Sequence, residues 1–180
     1  MNLWHEVDKE LVKPEEFLAV IEIKKGSKNK YELDKKTGAL KLDRVLHTST
    51  VYPTSYGFIP RTYADDGDPL DVMVLCSEGI EPLTLVECKP IGMIKMVDQG
   101  DNDEKIIAVA SKDPFFNGFN DIKELPKHYF DEMSHFFEVY KQLEGKETSI
   151  SGVEGRETAV KMIEQCLEGY RENYLKLIFK

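Results

Sequence analysis

The sequence predicts an α+β fold on two observations. Short β-type stretches separated by turn residues fill the first two thirds of the chain, and apolar residues at helical spacing fill the last third. Phe17–Ile23 ends at Lys24-Lys25-Gly26-Ser27, residues 31–33 end at Asp34-Lys35-Lys36-Thr37-Gly38, and Leu40–Val45 resumes, which gives a hairpin-like series. Residues 70–75, 83–89, 91–97 and 106–110 add further strands, and so many short strands in succession suggest a small barrel. From residue 126, Tyr129, Phe130, Met133, Phe136, Phe137, Tyr140 and Leu143 recur at helical intervals, with Gly145 placed as a C-terminal cap. A second helix is predicted over about 158–174, with Ala159, Val160, Ile163, Leu167 and Tyr170 on one face.

At 180 residues, 41% hydrophobic and 32% charged, the chain reads as one domain over 1–180, large enough for a substantial core. A net charge of −9 argues against a general binder of nucleic acid or anionic membrane, since both partners draw on basic surface. Cys76, Cys88 and Cys166 are odd in number, widely spaced and free of CxxC pairing, so they are expected to stay reduced. The start of the chain has neither a basic region nor an apolar run, and no stretch reaches the length of a membrane span. A cytoplasmic location is the expectation.

The most informative local feature is Asp65-Asp66-Gly67-Asp68-Pro69-Leu70-Asp71, which puts four carboxylates into one turn. Like charges this close stay ionised together only beside a cation; otherwise their pKa values rise. Oxygen ligands without His or Cys select magnesium, manganese or calcium. A solvated Asp/Gly turn is the competing explanation. Against it, Val72-Met73-Val74-Leu75-Cys76 follows at once, so Asp71 stands where the chain enters a buried strand. A second acidic stretch, from Asp98 to Lys105, links two predicted strands in the same way. Neither turn fits an EF-hand loop. Counted from Asp66, the glycine and terminal glutamate places hold Asp71 and Ser77; counted from Asp101 they hold Ile106 and Lys112. No GxxxxGK[ST] loop is present, and His5, His47, His128 and His135 are too dispersed for a local zinc motif.

Asp66-Gly67-Asp68-Pro69-Leu70-Asp71 resembles the Asp-x-Asp-Pro-x-Asp signature of the first family of soluble inorganic pyrophosphatases, in its short prokaryotic type. Glu22, Lys30, Glu32, Arg44, Tyr52, Tyr56, Asp98, Asp103, Lys105, Tyr140 and Lys141 follow the same pattern in order, so the resemblance covers roughly residues 15–145. It implies a closed five-stranded OB-type β-barrel flanked by helices. It also implies magnesium-dependent hydrolysis of pyrophosphate to two orthophosphates by direct attack of a water held between metal ions, without a phosphoenzyme. Several Mg2+ ions would sit in each site, with Mn2+ as a substitute.

By the same resemblance, Asp66, Asp71 and Asp103 bind the two ions that bridge the attacking water, and Asp68 is the general base. Asp98, with Asp103, binds further ions, and Glu22 and Glu32 act through metal-bound water. Lys30, Arg44, Lys105 and Lys141 meet phosphate oxygens, Tyr56 and Tyr140 donate hydroxyl hydrogen bonds, and Tyr52 lines the site. Tyr140 also fits the apolar face of its helix, and both glutamates also fit ordinary strand positions. The resemblance further implies a homohexamer built as a dimer of trimers. Two other functions compete: an OB-type nucleic-acid module, which the acidic composition disfavours, and a calcium-buffering protein.

Overall fold

A computed structural model describes residues 2–178. A short helix α1 (Leu3–Glu6) precedes strand β1 (Phe17–Ile23) and a hairpin of β2 (Asn29–Leu33) and β3 (Leu40–Val45). Strands β4 (Ser55–Phe58), β5 (Asp71–Leu75), β6 (Leu85–Asp98), β7 (Asp101–Asn102) and β8 (Lys105–Ala110) follow. Helix α2 (His128–Val139), strand β9 (Thr148–Gly155) and helix α3 (Arg156–Ile178) complete the described chain. The architecture is α+β, a mixed sheet with few helices.

The sheet runs β1-β4-β5-β8-β6-β7, with β9 added on β6, and β1 also pairs with β6. All of these pairings are antiparallel except β5 with β8, which sets Asp71 opposite Lys105. β2 and β3 form a separate two-stranded sheet.

β5 is buried on both faces, which explains its unbroken apolar run. Val72 and Val74 pack in one core with Ile21, Met93, Ile106 and, from α3, Ile163 and Leu167. Met73 and Leu75 point the other way into a core that α2 closes with Met133, Phe136, Phe137 and Tyr140. Burying each such aliphatic side chain contributes roughly 1.5–3 kcal/mol.

The elements depart from the sequence expectation in five places. The two strands expected over 83–89 and 91–97 are one long strand, β6, which begins only at Leu85. Its pairing with β8 shifts register between Pro90 and Gly92, and that irregularity accommodates a proline that cannot donate to the ladder. β4 was not expected, because Ser-Tyr-Gly-Phe is short and carries a glycine; the glycine is there for contact. A Cβ on Gly57 would lie 1.8 Å from the Val20 carbonyl oxygen. β9 has a polar, weakly alternating sequence and is held by its pairing with β6. Finally, α2 stops at Val139 with Tyr140 as its cap, and Gly145 closes a separate 3-10 turn, Gln142–Glu144, at a left-handed φ of 71°. Helix α3 is longer at both ends than the predicted 158–174. Among the described residues the cysteines are unpaired, and no helix is long and apolar enough to cross a membrane.

Candidate active site

One end of the sheet gathers the acids. Asp66 and Asp68 lie in the turn between β4 and β5, where Gly67 takes a φ of 85° and Asp68 N donates to Asp66 Oδ1 at 2.9 Å. Asp71 opens β5 and Asp98 closes β6. Asp103 stands between β7 and β8, after a tight turn through Gln99 and Gly100, both at positive φ. The parallel register of β5 and β8 then delivers Lys105 to Asp71.

These side chains line a cavity of about 270 Å³ together with Glu22, Lys30, Glu32, Tyr52, Tyr56, Tyr140 and Lys141. Lys30 and Glu32, two residues apart on β2, come from the hairpin. Arg44 is the predicted residue that does not line it. It sits opposite Lys30 on β3, with Nη1 donating to Asp43 at 2.5 Å and Nε 2.8 Å from Glu144, while Nη2 is buried without a partner. Trp4, Tyr31, Lys35 and Phe137 also line the cavity and were missed by sequence reasoning. Trp4 is far from the acidic turns in sequence and Lys35 sits in an ordinary Asp/Lys/Gly turn, so neither carried a signal.

Five of the acids, Asp71, Asp103, Asp98, Glu32 and Asp68, have a lysine against them. Lys105 Nζ donates to Asp71 at 2.6 Å and also to Asp103; Lys141 pairs with Asp98, Lys30 with Glu32 and Lys35 with Asp68. Lys105 is buried, and burial alone works against its charge. The Asp71 and Asp103 carboxylates outweigh it and hold the ammonium above its ordinary range. The Tyr56 and Phe137 rings stand 5.7 Å and 5.8 Å from that ammonium and add cation–π attraction. Tyr56 OH donates to Asp71 at 2.5 Å, and burial raises the phenol's pKa well above normal, so it stays a donor. Tyr140 is likewise kept protonated by burial and then by Asp98, Asp103 and Asp71. It belongs to the core and to the cavity wall at once.

The acids themselves show what the cavity lacks in compensation. Burial first, then Asp71, Asp68 and Asp103, push Asp66 up to about 6. Burial also raises Asp103, against the pull of Lys105. Glu22 is buried, accepts from Leu33 N at 2.6 Å, and is pushed by burial to about 8. Asp98 Oδ1 is buried with no hydrogen-bond partner. Among the described residues no three acids, histidines or cysteines converge into a ready-made cage, and several of the carboxylates are paired with lysines instead. An oxygen-only donor set with an orphaned carboxylate oxygen and raised pKa values nevertheless fits hard divalent ions.

A model described as inorganic pyrophosphatase matches residues 19–171 of this chain. The chain belongs to the first family of soluble inorganic pyrophosphatases. Its relatives include a protein of Chlamydomonas reinhardtii named soluble inorganic pyrophosphatase 2, 46% identical over 96% of this chain and 90% of its own. An inorganic pyrophosphatase of Picrophilus torridus is 44% identical over 96% of this chain and 97% of its own. The crystal structure of inorganic pyrophosphatase from Thermus thermophilus superposes with a TM-score of 0.89 at 40% identity, covering 95% of this chain and 99% of that one. The family match extends past residue 145, where the motif residues end, through β9 and into α3.

Proposed function

We propose that the chain hydrolyses inorganic pyrophosphate to two orthophosphates in this cavity, with magnesium as the cofactor and manganese as a substitute. The observation that carries the reading is convergence: scattered acids, lysines and tyrosines from β1, β2, β4, β5, β6, β8 and the end of α2 face one space. Asp66, Asp71, Asp98 and Asp103 would hold the divalent ions directly, and Glu22 and Glu32 would act through ordered water. Bound divalent ions neutralise charge on the attacking and leaving oxygens and acidify water.

The protein's own groups do the rest. Asp68, exposed at the mouth of the cavity between two ligand acids, takes the proton of the attacking water as general base. Lys30, Lys105 and Lys141 carry positive charge to the phosphate oxygens, whereas Arg44 would have to leave Asp43 and Glu144 to do the same. Tyr56 and Tyr140, held neutral, donate hydrogen bonds without adding charge. Tyr52, packed against Tyr56 and Phe136 at ring-centroid distances of 5.3 Å and 4.7 Å, keeps that wall in place.

A closed five-stranded OB-type barrel is supported by the pairings, since β1, β4, β5, β8 and β6 follow one another and β6 pairs back to β1. The proposal also includes one domain over the whole chain, a cytoplasmic location and a homohexamer built as a dimer of trimers, the last on the likeness to short prokaryotic members. Orthophosphate release from pyrophosphate, with and without Mg2+ and with ATP as comparison, tests the reading. Magnesium-dependent release with ATP left intact is the expected result; no release with any divalent ion would overturn it. Sedimentation analysis tests the hexamer.

A further inference from the structure

Lys35 projects from the tip of the β2–β3 hairpin, and its ammonium pairs with the Asp68 carboxylate at the mouth of the cavity. The contacts that hold it there come from the other end of the chain. Asn2 Nδ2 donates to the Lys35 carbonyl at 2.7 Å, and the ammonium stands 5.6 Å from the centroid of the Trp4 ring. Trp4 is buried and its Nε1 donates to the Thr62 carbonyl at 2.8 Å. Thr62 Oγ1 in turn accepts from Leu70 N at 2.8 Å, inside the acidic turn. One indole therefore touches the hairpin tip on one side and, through Thr62, the turn carrying Asp68 on the other.

The Lys35–Asp68 pair itself is half exposed, at 48% and 53%, so water competes with it and a stronger anion can take the ammonium. A terminal phosphate, with up to two charges and three acceptor oxygens, is such an anion. The Lys35 backbone carbonyl is held by Asn2, while the four-carbon stem lining the cavity leaves its ammonium rotatable.

We propose that Lys35 is a further substrate-contacting residue that alternates between two partners, the Asp68 carboxylate and a terminal phosphate oxygen of pyrophosphate. When the ammonium passes to phosphate, Asp68 is released to take the proton of water, so arrival of the right anion frees the base. Trp4 is the positioning residue, setting the swing of Lys35 by cation–π contact. This rests on the reading of the cavity as a pyrophosphate site with Asp68 as base.

Trp4 is the chain's single tryptophan, so its fluorescence reports on Lys35. The probe is methylenediphosphonate, whose P–C–P bridge is not hydrolysed, added with Mg2+ to the full-length protein. Wild type is expected to show a saturable change in Trp4 emission. Lys35→Met is expected to lose that change and to raise the KM for pyrophosphate roughly tenfold, the scale of one lost charge-assisted contact, with kcat within about twofold. Lys35→Arg should restore KM. A Lys35→Met protein with wild-type KM and an undiminished emission change would overturn the proposal. That result in a wild type that hydrolyses pyrophosphate refutes the latch alone, whereas an inactive wild type refutes the underlying reading.

Discussion

Glu22→Gln, in protein stripped of divalent ions by a chelator, should abolish a loss of stability that the wild type suffers as pH rises. Glu22 is only 8% exposed, and among the described residues its donor is Leu33 N–H. Burial, with Asp71 and Glu32 nearby, lifts its carboxyl from an ordinary 4.5 to about 8. The folded chain thus keeps a proton that the unfolded chain gives up above 4.5. A raised pKa stabilises the fold fully below about pH 4.5, and the contribution drains away as pH climbs towards 8. Taking both values at 1.36 kcal/mol per pH unit, the loss between pH 5 and pH 8 is roughly 3–4 kcal/mol. Water reaching the carboxylate through the cavity lowers this to roughly 2–3 kcal/mol. Glutamine keeps the acceptor for Leu33 and cannot ionise, so the titrating groups not coupled to Glu22 cancel in the comparison. Urea unfolding of both proteins at pH 5 and pH 8, at equal chain concentration, measures the difference. Parallel losses in the two proteins, within about 1 kcal/mol, would show that Glu22 is already ionised in the folded state at pH 5 and would refute the account of its burial.

Asp68→Asn should bind Mg2+ in calorimetry as the wild type does yet lose roughly 10²–10⁴-fold in turnover, the range of general-base catalysis; near-normal turnover would remove Asp68 from that role. Lys105→Met leaves Asp71 and Asp103 without their buried cation, so the chelated variant should lose about 3–5 kcal/mol in unfolding experiments, and Mg2+ should recover much of it. A loss that Mg2+ does not touch would mean that these carboxylates do not bind the ion. Gly57→Ala forces a methyl group against the Val20 backbone, which cannot move without parting β1 from β4, so a loss above about 3 kcal/mol or no folded protein is expected. A melting temperature unchanged from wild type would refute that packing.

Much of the site was legible in the chain because its chemistry is concentrated. Four carboxylates in one turn beside an apolar strand called for a nearby cation or for raised pKa values, and the signature around them led in order to the lysines and tyrosines. The α+β class was equally readable, since periodicity changes from strand to helix along the chain. Local pattern failed where partners are distant. β9 and β4 carry little apolar signal of their own and owe their form to β6, β1 and β5. Arg44 matched the pattern and yet faces Asp43 and Glu144, a consequence of how β3 lies on β2.

The sequence alone determined which groups exist, how much charge they concentrate and which ligand chemistry that charge admits, because those properties belong to residue type and spacing. Tertiary structure decided what each carboxylate meets. The parallel register of β5 and β8 gives Asp71 its lysine, and burial in the cavity raises Glu22 and Asp66. The β2–β3 hairpin sets the Lys35 ammonium against Asp68 and 5.6 Å from the Trp4 ring centroid. The physical reason is that desolvation and ion pairing depend on distance in space, and these distances are closed by chain segments more than thirty residues apart.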